Sequence, residues 1–189
     1  SGKLKGFNTD YFGSFYKLKK ICNKKNNQRI LVLGCGGAGK ACIISVISFF
    51  KNSKIYLFNR SKKKLKNFSN LKKSKNLIKI VDNYQQLSEI KKLNLVINTT
   101  SVGFDIWSRS KKKYYNNLFC SPLSESGNLK CVKSKNYKLF KKINYKKFFK
   151  NILNTFIFLK RNPNIKVFDI IYSPKETTVL KISNLLGIF

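Results

Sequence analysis

Short apolar runs alternate with longer amphipathic segments along most of the chain. The runs predict five strands, at Arg29–Leu33, Lys54–Phe58, Ile78–Val81, Leu95–Asn98 and Lys166–Ile171. Helical spacing of apolar residues predicts helices at Asn8–Lys20, Ala38–Phe50, Lys62–Leu71, Gln86–Leu93 and Thr177–Leu186. Strands that alternate with helices favour parallel crossovers. The pattern therefore predicts an α/β protein with a doubly wound parallel sheet in a three-layer αβα arrangement.

Residues 106–162 interrupt this pattern with a Lys/Asn-rich, aromatic stretch that is longer than most connections in compact domains. Its last part has apolar residues at helical spacing, namely Phe149, Ile152, Leu153, Phe156 and Ile157. We interpret 106–162 as a low-complexity insertion that ends in a helix packed on the sheet. A basic aromatic surface for RNA or membrane is the alternative.

The net charge of +33, from 40 Lys and Arg against 7 Asp and Glu, has two explanations. It could attract nucleic acid or other polyanions. The lysines are spread over the whole chain, however, alongside many Asn, Ile, Phe and Tyr residues, which favours AT-rich coding bias. We therefore expect no nucleic-acid partner. The longest apolar run, near Cys42–Phe50, is too short to span a membrane, which takes about 20 residues, and we expect no membrane partner.

The chain has five cysteines without a C-x-x-C pair, and it has no histidine. Scattered cysteines of odd number are typical of reduced thiols in an intracellular protein, so we expect a cytoplasmic location, with a plastid-type organelle as the alternative. This composition also argues against a metal site.

A glycine-rich turn stands between the first sheet strand and the helix after it. Gly34, Gly36 and Gly39 match G-x-G-x-x-G, with Gly37 and Ala38 in the same loop. In a Rossmann-type domain, such glycines allow the turn, the approach of a pyrophosphate and close helix packing. The pattern predicts a dinucleotide site at the helix N-terminus.

The same segment nearly matches a triphosphatase P-loop, but Ala41 follows Lys40 where that motif needs a hydroxyl for magnesium. The second strand ends in Asn59-Arg60-Ser61 rather than in a carboxylate. A carboxylate binds the ribose hydroxyls of NAD, whereas Arg60 can pair with the 2′-phosphate of NADP. We therefore predict NADP as the cofactor.

Five short motifs, in order, resemble those of shikimate dehydrogenase. The first resembles the family's N-T-D-x-x-G hinge element, the second its glycine loop, the third its N-R-T element, the fourth its I-N-T-T-P-V-G segment and the fifth its D-I-V-Y-N-P element. In this chain they are Gly6–Gly13, Gly34–Ala41, Asn59–Ser61, Ile97–Gly103 and Phe168–Pro174.

The resemblance implies NADPH-dependent, reversible reduction of 3-dehydroshikimate to shikimate, in the pathway to chorismate and the aromatic amino acids. It implies that Asp10 is catalytic and that Asn8, Thr9 and Tyr172 contribute to substrate binding with it. The cofactor-binding residues that it implies together with the glycine loop are Gly34, Gly36, Gly37, Ala38, Gly39, Asn59, Arg60, Ser61, Lys64, Thr99, Thr100, Ser101 and Ile170.

The resemblance covers only the cofactor half of the family's enzymes. We expect residues 1–189 to form one NADP-binding domain, with 1–24 as a hinge helix region and 106–162 as the insertion, and the N-terminal substrate domain to be missing. The family's catalytic Lys would lie in that domain, so we expect no turnover from the chain alone. Expected partners are the shikimate substrate pair, the N-terminal substrate domain and other domains of the pathway. The alternatives are a quinate or other polyol dehydrogenase domain, and a non-catalytic basic nucleotide- or RNA-binding module.

Overall fold

The structure is a computed structural model, which describes residues 6–23, 25–65, 68, 75–108, 113–116, 120–125 and 137–188. The strands are β1 (Arg29–Leu33), β2 (Lys54–Phe58), β3 (Leu77–Val81), β4 (Leu95–Asn98), β5 (Asp105–Ser108), β6 (Lys113–Asn116) and β7 (Lys166–Asp169). The helices are α1 (Thr9–Ile21), α2 (Gly37–Phe49), α3 (Tyr84–Glu89), α4 (Tyr137–Lys160) and α5 (Thr178–Leu185). Each predicted strand of the main pattern is present, and the predicted bounds of β1, β2 and β4 are confirmed.

The main sheet has five parallel strands in the order β3-β2-β1-β4-β7. Its order reverses beside β1, because β2 pairs with one edge of β1 and β4 with the other. In such sheets, ligands bind outside the carboxyl ends of the strands at this switch point. The register places Leu33 beside both Phe58 and Asn98, so the segments after β1, β2 and β4 start side by side.

Alternate residues of the buried strands face two separate cores. Ile30, Val32 and Ile55 belong to the core under α1 and α2, whereas Leu31 and Leu33 belong to the core under α3, α4 and α5. Side chains of successive strand residues point to opposite faces, so both faces of the sheet are covered by helices. The predicted three-layer αβα fold is confirmed.

Helix α4 buries a different face from the one that its apolar spacing predicts. The predicted face is exposed, and it consists of Phe149, Ile152, Leu153, Phe156 and Ile157. Among the residues of α4 whose burial the structure describes, the buried ones are Asn144, Phe148, Asn151, Thr155, Phe158 and Leu159. The prediction of a helix that ends the insertion is correct. The predicted packing face is wrong, because half of the residues on the face that is actually buried are polar.

Two buried asparagines explain why a polar face can be buried. Asn151 accepts a hydrogen bond from the Ser121 N–H (2.7 Å) and donates to the carbonyl oxygens of Ser121 (3.3 Å) and Ser124 (3.1 Å). Asn162, just after α4, accepts from the Leu93 N–H (3.0 Å) and donates to the Phe158 carbonyl (2.9 Å). Buried polar groups are tolerated when they are paired in this way. Helix α4 is therefore fastened to the neighbouring loops by side-chain amides.

Other differences from the sequence prediction are local. Residues 105–116 contain an antiparallel pair, β5 with β6, that the periodicity did not predict. Of the predicted helix Lys62–Leu71, the structure describes a 3₁₀ turn at Lys62–Leu65 and the buried Phe68, and the other positions lie outside the described residues. In α5, Val179 and Ile182 are buried, whereas Leu185 is 83% exposed.

Along the described segments, no helix is both long enough and apolar enough to cross a lipid bilayer.

The Asn151 contacts predict a large stability effect at a position that looks like a solvated helix residue. Asn151→Ala removes one acceptor and two donor contacts and leaves the Ser121 N–H unpaired in a buried place. We expect a loss of about 3 kcal/mol in the free energy of unfolding, measured by urea denaturation. The control is Asn154→Ala, which removes one exposed-side bond to Ser124 Oγ and should cost less than about 1 kcal/mol. Equal losses in the two variants would contradict this account.

Candidate cofactor site

The turn from β1 into α2 depends on glycine at two positions. Gly34 has φ +102°, and its N–H donates to the Phe58 carbonyl at 2.8 Å, which ties the turn to the end of β2. A Cβ on Gly39 would lie 2.7 Å from Thr99 Oγ1 and 3.0 Å from the Gly34 carbonyl oxygen. Close packing of α2 on the strand ends therefore needs a glycine at both positions.

The first turn of α2 has N–H groups that no capping side chain satisfies. Gly36 is the N-cap residue and has no side chain to accept a hydrogen bond from them. A Cβ built on Gly36 or Gly37 would meet nothing within 4 Å. The helix N-terminus thus faces open space and presents backbone donors and partial positive charge, which is the arrangement that binds phosphate groups.

A groove of about 200 Å³ lies at the carboxyl ends of β1, β2 and β4. It is lined by Gly34, Cys35, Gly36, Phe58, Asn59, Arg60, Tyr84, Thr99, Thr100, Ser101, Val102 and Pro122. Arg60 is the cation among these residues. The groove therefore combines the glycine turn with the side chain of Arg60.

Asn59 fixes the segment that carries Arg60 against the glycine turn. Its Oδ1 accepts from the Cys35 N–H at 3.1 Å, and its Nδ2 donates to the Ser61 carbonyl at 2.9 Å. The Cys35 thiol lies 3.2 Å from the Lys64 carbonyl oxygen, to which it donates. Burial raises the pKa of this thiol, against an opposing effect of the nearby Lys40 and Lys64. Both Asn59 and Cys35 hold the site together through the backbone.

The ends of β4 and β7 are joined by a hydrogen-bonded network centred on Asn98 and Asp169. These residues are register partners, and Asn98 Nδ2 donates to Asp169 Oδ1 at 3.0 Å. Asn98 Oδ1 accepts from the N–H and the hydroxyl of Thr100, at 2.9 and 2.7 Å. Asp169 also accepts from the Ile171 N–H and the Thr177 hydroxyl. The network shapes the Thr99–Ser101 side of the groove.

Burial raises the pKa of Asp169, and its hydrogen bonds to Ile171, Thr177 and Asn98 oppose this rise. A carboxylate that is buried but accepts three hydrogen bonds is a structural acceptor.

The structure brings together eight of the predicted cofactor-binding residues. Those that line the groove are Gly34, Gly36, Asn59, Arg60, Thr99, Thr100 and Ser101, and Gly39 packs beneath them against Thr99. Gly37, Ala38, Ser61, Lys64 and Ile170 do not line it. Of these, Ser61 and Lys64 accept hydrogen bonds from groove residues through their carbonyls, and the Ile170 N–H donates to the Asn98 carbonyl.

The predicted substrate residues lie outside the groove. Asn8 caps α1, where its side chain accepts from the Tyr11 N–H at 3.0 Å, and Thr9 and Asp10 start the helix. Tyr172 is 88% exposed. Their roles in substrate binding and catalysis stay predictions.

Sequence reasoning missed Tyr84 and Cys35 as groove residues, and Asn98 and Asp169 as its support. The two support residues carried a usable signal, because each is a polar residue that ends a buried strand next to another such strand. Tyr84 carried none. Its ring packs edge-on against Phe58 with centroids 4.8 Å apart, a contact between segments far apart in sequence.

Comparison with known proteins agrees with this geometry. The chain is 34% identical to shikimate dehydrogenase (NADP(+)) of Dictyoglomus turgidum over 143 residues, which is 71% of the chain and 50% of that protein. It is 34% identical to the Aquifex aeolicus enzyme of the same name over 103 residues, which is 54% of the chain and 35% of that protein. A crystal structure of shikimate dehydrogenase from Aquifex aeolicus has 25% identity and a TM-score of 0.56, with 97% of the chain and 48% of that structure covered.

No protein-family model matches the chain. The chain spans between about a third and a half of the length of these curated relatives. The resemblance to shikimate dehydrogenase is confirmed over the matched residues, and it favours the predicted dehydrogenase over the alternatives.

The close packing of Gly39 predicts that alanine at this position destabilises the protein, whereas alanine at the neighbouring Gly37 does not. Gly39→Ala places a methyl group against the buried Thr99, whose hydroxyl donates to the Leu33 carbonyl at 2.9 Å and therefore resists displacement. We expect a loss of about 1–3 kcal/mol in the free energy of unfolding. Gly37→Ala is the matched control, because its Cβ would meet nothing and alanine favours a helix; it should be neutral or stabilising by up to about 1 kcal/mol. Urea denaturation of both variants checks this, and an unaffected Gly39→Ala would contradict it.

Proposed function

We propose that this chain is the NADP-binding part of a shikimate dehydrogenase, which reversibly reduces 3-dehydroshikimate to shikimate with NADPH. The observation that carries the proposal is the groove in which the glycine turn and Arg60 meet at the switch point of the sheet. The curated relatives that the chain matches are named shikimate dehydrogenase (NADP(+)), which supports the assignment.

The residues present suit the pyrophosphate of a dinucleotide. The first turn of α2 offers backbone N–H groups without a capping side chain, and Gly36 leaves room for a phosphate to approach the backbone. Close packing at Gly39 holds the helix N-terminus against Thr99, next to the groove. The pyrophosphate would therefore be held mainly by main-chain groups, and the basic side chains would act elsewhere.

Arg60 suits the 2′-phosphate that distinguishes NADP from NAD. It follows β2 and lines the groove with Asn59, where NAD-specific domains have a carboxylate. A guanidinium can form paired hydrogen bonds with a phosphate and can stack on an adenine ring. Lys63 and Lys64 are exposed nearby and add positive charge. We infer that Ser61 and Lys64 complete the adenosine end of the site.

The bound nicotinamide supplies the hydride for reduction of the substrate ketone. We infer that Thr99, Thr100, Ser101 and Ile170 shape the nicotinamide end, because Asn98 and Asp169 fix both segments side by side. The substrate alkoxide needs a positioned proton donor. Asp10 would orient that donor, with Asn8, Thr9 and Tyr172 contacting the substrate.

The domain organisation is part of the proposal. Helix α1 packs on α2 through the core that contains Leu18 and Phe49, and the Ser45 hydroxyl donates to the Tyr11 carbonyl at 2.8 Å. We infer that this helix is the hinge region that links the cofactor domain to a substrate domain supplied by an N-terminal part of the protein. Shikimate and 3-dehydroshikimate would bind between the two.

The Arg60 assignment predicts loss of cofactor discrimination in one variant. Arg60→Ala should weaken NADPH binding by about tenfold to a hundredfold, because a charge-assisted contact with the 2′-phosphate is lost. NADH binding should change little. Lys79→Ala on β3 removes an equal charge at an exposed position away from the groove and is the control. Fluorescence titration at moderate salt measures both cofactors, and an unchanged NADPH-to-NADH ratio in Arg60→Ala would exclude the 2′-phosphate contact.

The Asp10 assignment predicts that a substitution of Asp10 lowers kcat but leaves cofactor binding unchanged. In a protein that contains this chain and its substrate domain, Asp10→Asn should lower kcat for shikimate oxidation by about a hundredfold or more. The Kd for NADP+ should stay the same, because Asp10 starts α1 and lies outside the groove. Asp82→Asn, which changes a carboxylate after β3, is the control. Full activity of Asp10→Asn would remove Asp10 from the mechanism.

A further inference from the structure

A second cavity, of about 550 Å³, lies beside the cofactor groove and has more than twice its volume of about 200 Å³. It lies between α3, residues 123–125 and the second half of α4, and it is open to solvent on one side. Cavities of roughly 300–1,000 Å³ hold small organic ligands. The proposed function uses none of its charged residues.

Hydrogen bonds from buried side-chain amides connect the walls of this cavity. Asn151 of α4 holds the 121–124 segment through three hydrogen bonds. Asn154, one turn further along the helix, donates to Ser124 Oγ at 3.2 Å. Asn162 connects the end of α4 to the Leu93 N–H and the Ile90 carbonyl, just after α3. Ligand binding would therefore require little reorganisation of the backbone.

The charge of the lining is positive. Three cations reach it, namely Lys147, Lys150 and Arg161, and Glu125 is the one carboxylate among its described lining residues. The two lysines come from one face of α4, and Arg161 follows directly after that helix. An anionic group placed between them would be favoured, and the fork of a guanidinium is matched to phosphate in particular.

Part of the cavity lining is apolar, and it includes an aromatic ring. Leu123 and Phe158 are almost fully buried beneath the cavity, and Ile157 and the Tyr84 ring line its sides. Flat apolar surfaces of this kind bind planar ring systems. Gln85, Ser88 and Asn154 add neutral hydrogen-bonding groups to the lining.

We propose that this cavity is a binding site for an aromatic organic phosphate, with the ring against Tyr84 and Ile157 and the phosphate between Lys150 and Arg161. The site is distinct from the cofactor groove, and this inference goes beyond the proposed function without depending on it. Tyr84 lines both spaces, so a ligand in the cavity and a dinucleotide in the groove share one wall and occupy the protein together.

The probe for this site is 1-naphthyl phosphate, titrated into the intact chain by its own fluorescence. Ionic strength is set near 0.15 M, where exposed charges are screened beyond about 8 Å. Inorganic phosphate and 1-naphthol are titrated in parallel, as the charged part and the ring part alone. We expect 1-naphthyl phosphate to bind at least about tenfold more tightly than either part, because both walls contribute. Binding no tighter than that of inorganic phosphate would overturn the proposal.

Matched charge variants then locate the binding. The double variant Lys150→Gln/Arg161→Gln should raise the Kd for 1-naphthyl phosphate by about tenfold or more. Lys160→Gln changes the residue beside Arg161, whose ammonium lies over the Phe156 ring and not in the cavity, and should leave the Kd unchanged. Equal weakening by Lys160→Gln would show non-specific attraction to a basic protein and would contradict the site. Ser88→Tyr, which fills the cavity from α3, gives a second test: it should also abolish binding, and retained binding overturns the proposal.

Saturating NADP+ separates the two sites. We expect the Kd for 1-naphthyl phosphate to be unchanged by NADP+, and also by the substitution Arg60→Ala. Full displacement by NADP+ would place the probe in the cofactor groove and overturn the second site. A chain that binds no NADP+ but keeps the Lys150 and Arg161 dependence would refute the proposed function and leave this inference standing.

Discussion

The contact between the glycine turn and the end of β4 is the constraint on which the site depends. Gly34 and Gly39 both approach Thr99 more closely than a side chain on either would allow. The Thr99 N–H and hydroxyl both bond to the Leu33 carbonyl, at 2.8 and 2.9 Å, so this contact also joins two strands. It brings the N-terminus of α2 over the switch point, where unpaired donors can meet a ligand instead of the protein's own groups.

Around this contact, side-chain amides join several loops and strand ends. Asn59 ties the Arg60 segment to the turn, Asn98 ties β4 to β7, and Asn151 ties α4 to its preceding loop. A composition rich in Asn is thus partly structural in this chain. Amides both donate and accept, so one buried asparagine can satisfy several backbone groups at once. Asn59 lines the groove itself, whereas Asn98 holds Thr100 of the groove and Asn151 holds Ser124 of the second cavity.

The strands of the sheet could be predicted from the sequence because each is marked by a local run of apolar residues. The apolar runs of β1, β2 and β4 are buried on both faces, and such runs need no knowledge of their partners. The glycine turn and Arg60 were also identifiable, because motif spacing fixes their place relative to β1 and β2. The packing face of helix α4 was mispredicted for the opposite reason: its apolar stripe is exposed, and Asn151 is buried because it binds a loop 30 residues away. Tyr84 enters the groove through a contact with Phe58 that no spacing reveals.

The most direct test of the account is a calorimetric comparison of 2′,5′-ADP (adenosine 2′,5′-bisphosphate) with 5′-AMP at 0.15 M salt. These fragments share the adenosine and its single 5′-phosphate and differ only in the 2′-phosphate, which the account assigns to Arg60 in the groove. We expect 2′,5′-ADP to bind at least about tenfold more tightly, because one charge-assisted hydrogen bond contributes about that factor to the affinity. Equal affinity for the two fragments would contradict the assignment of this groove to NADP.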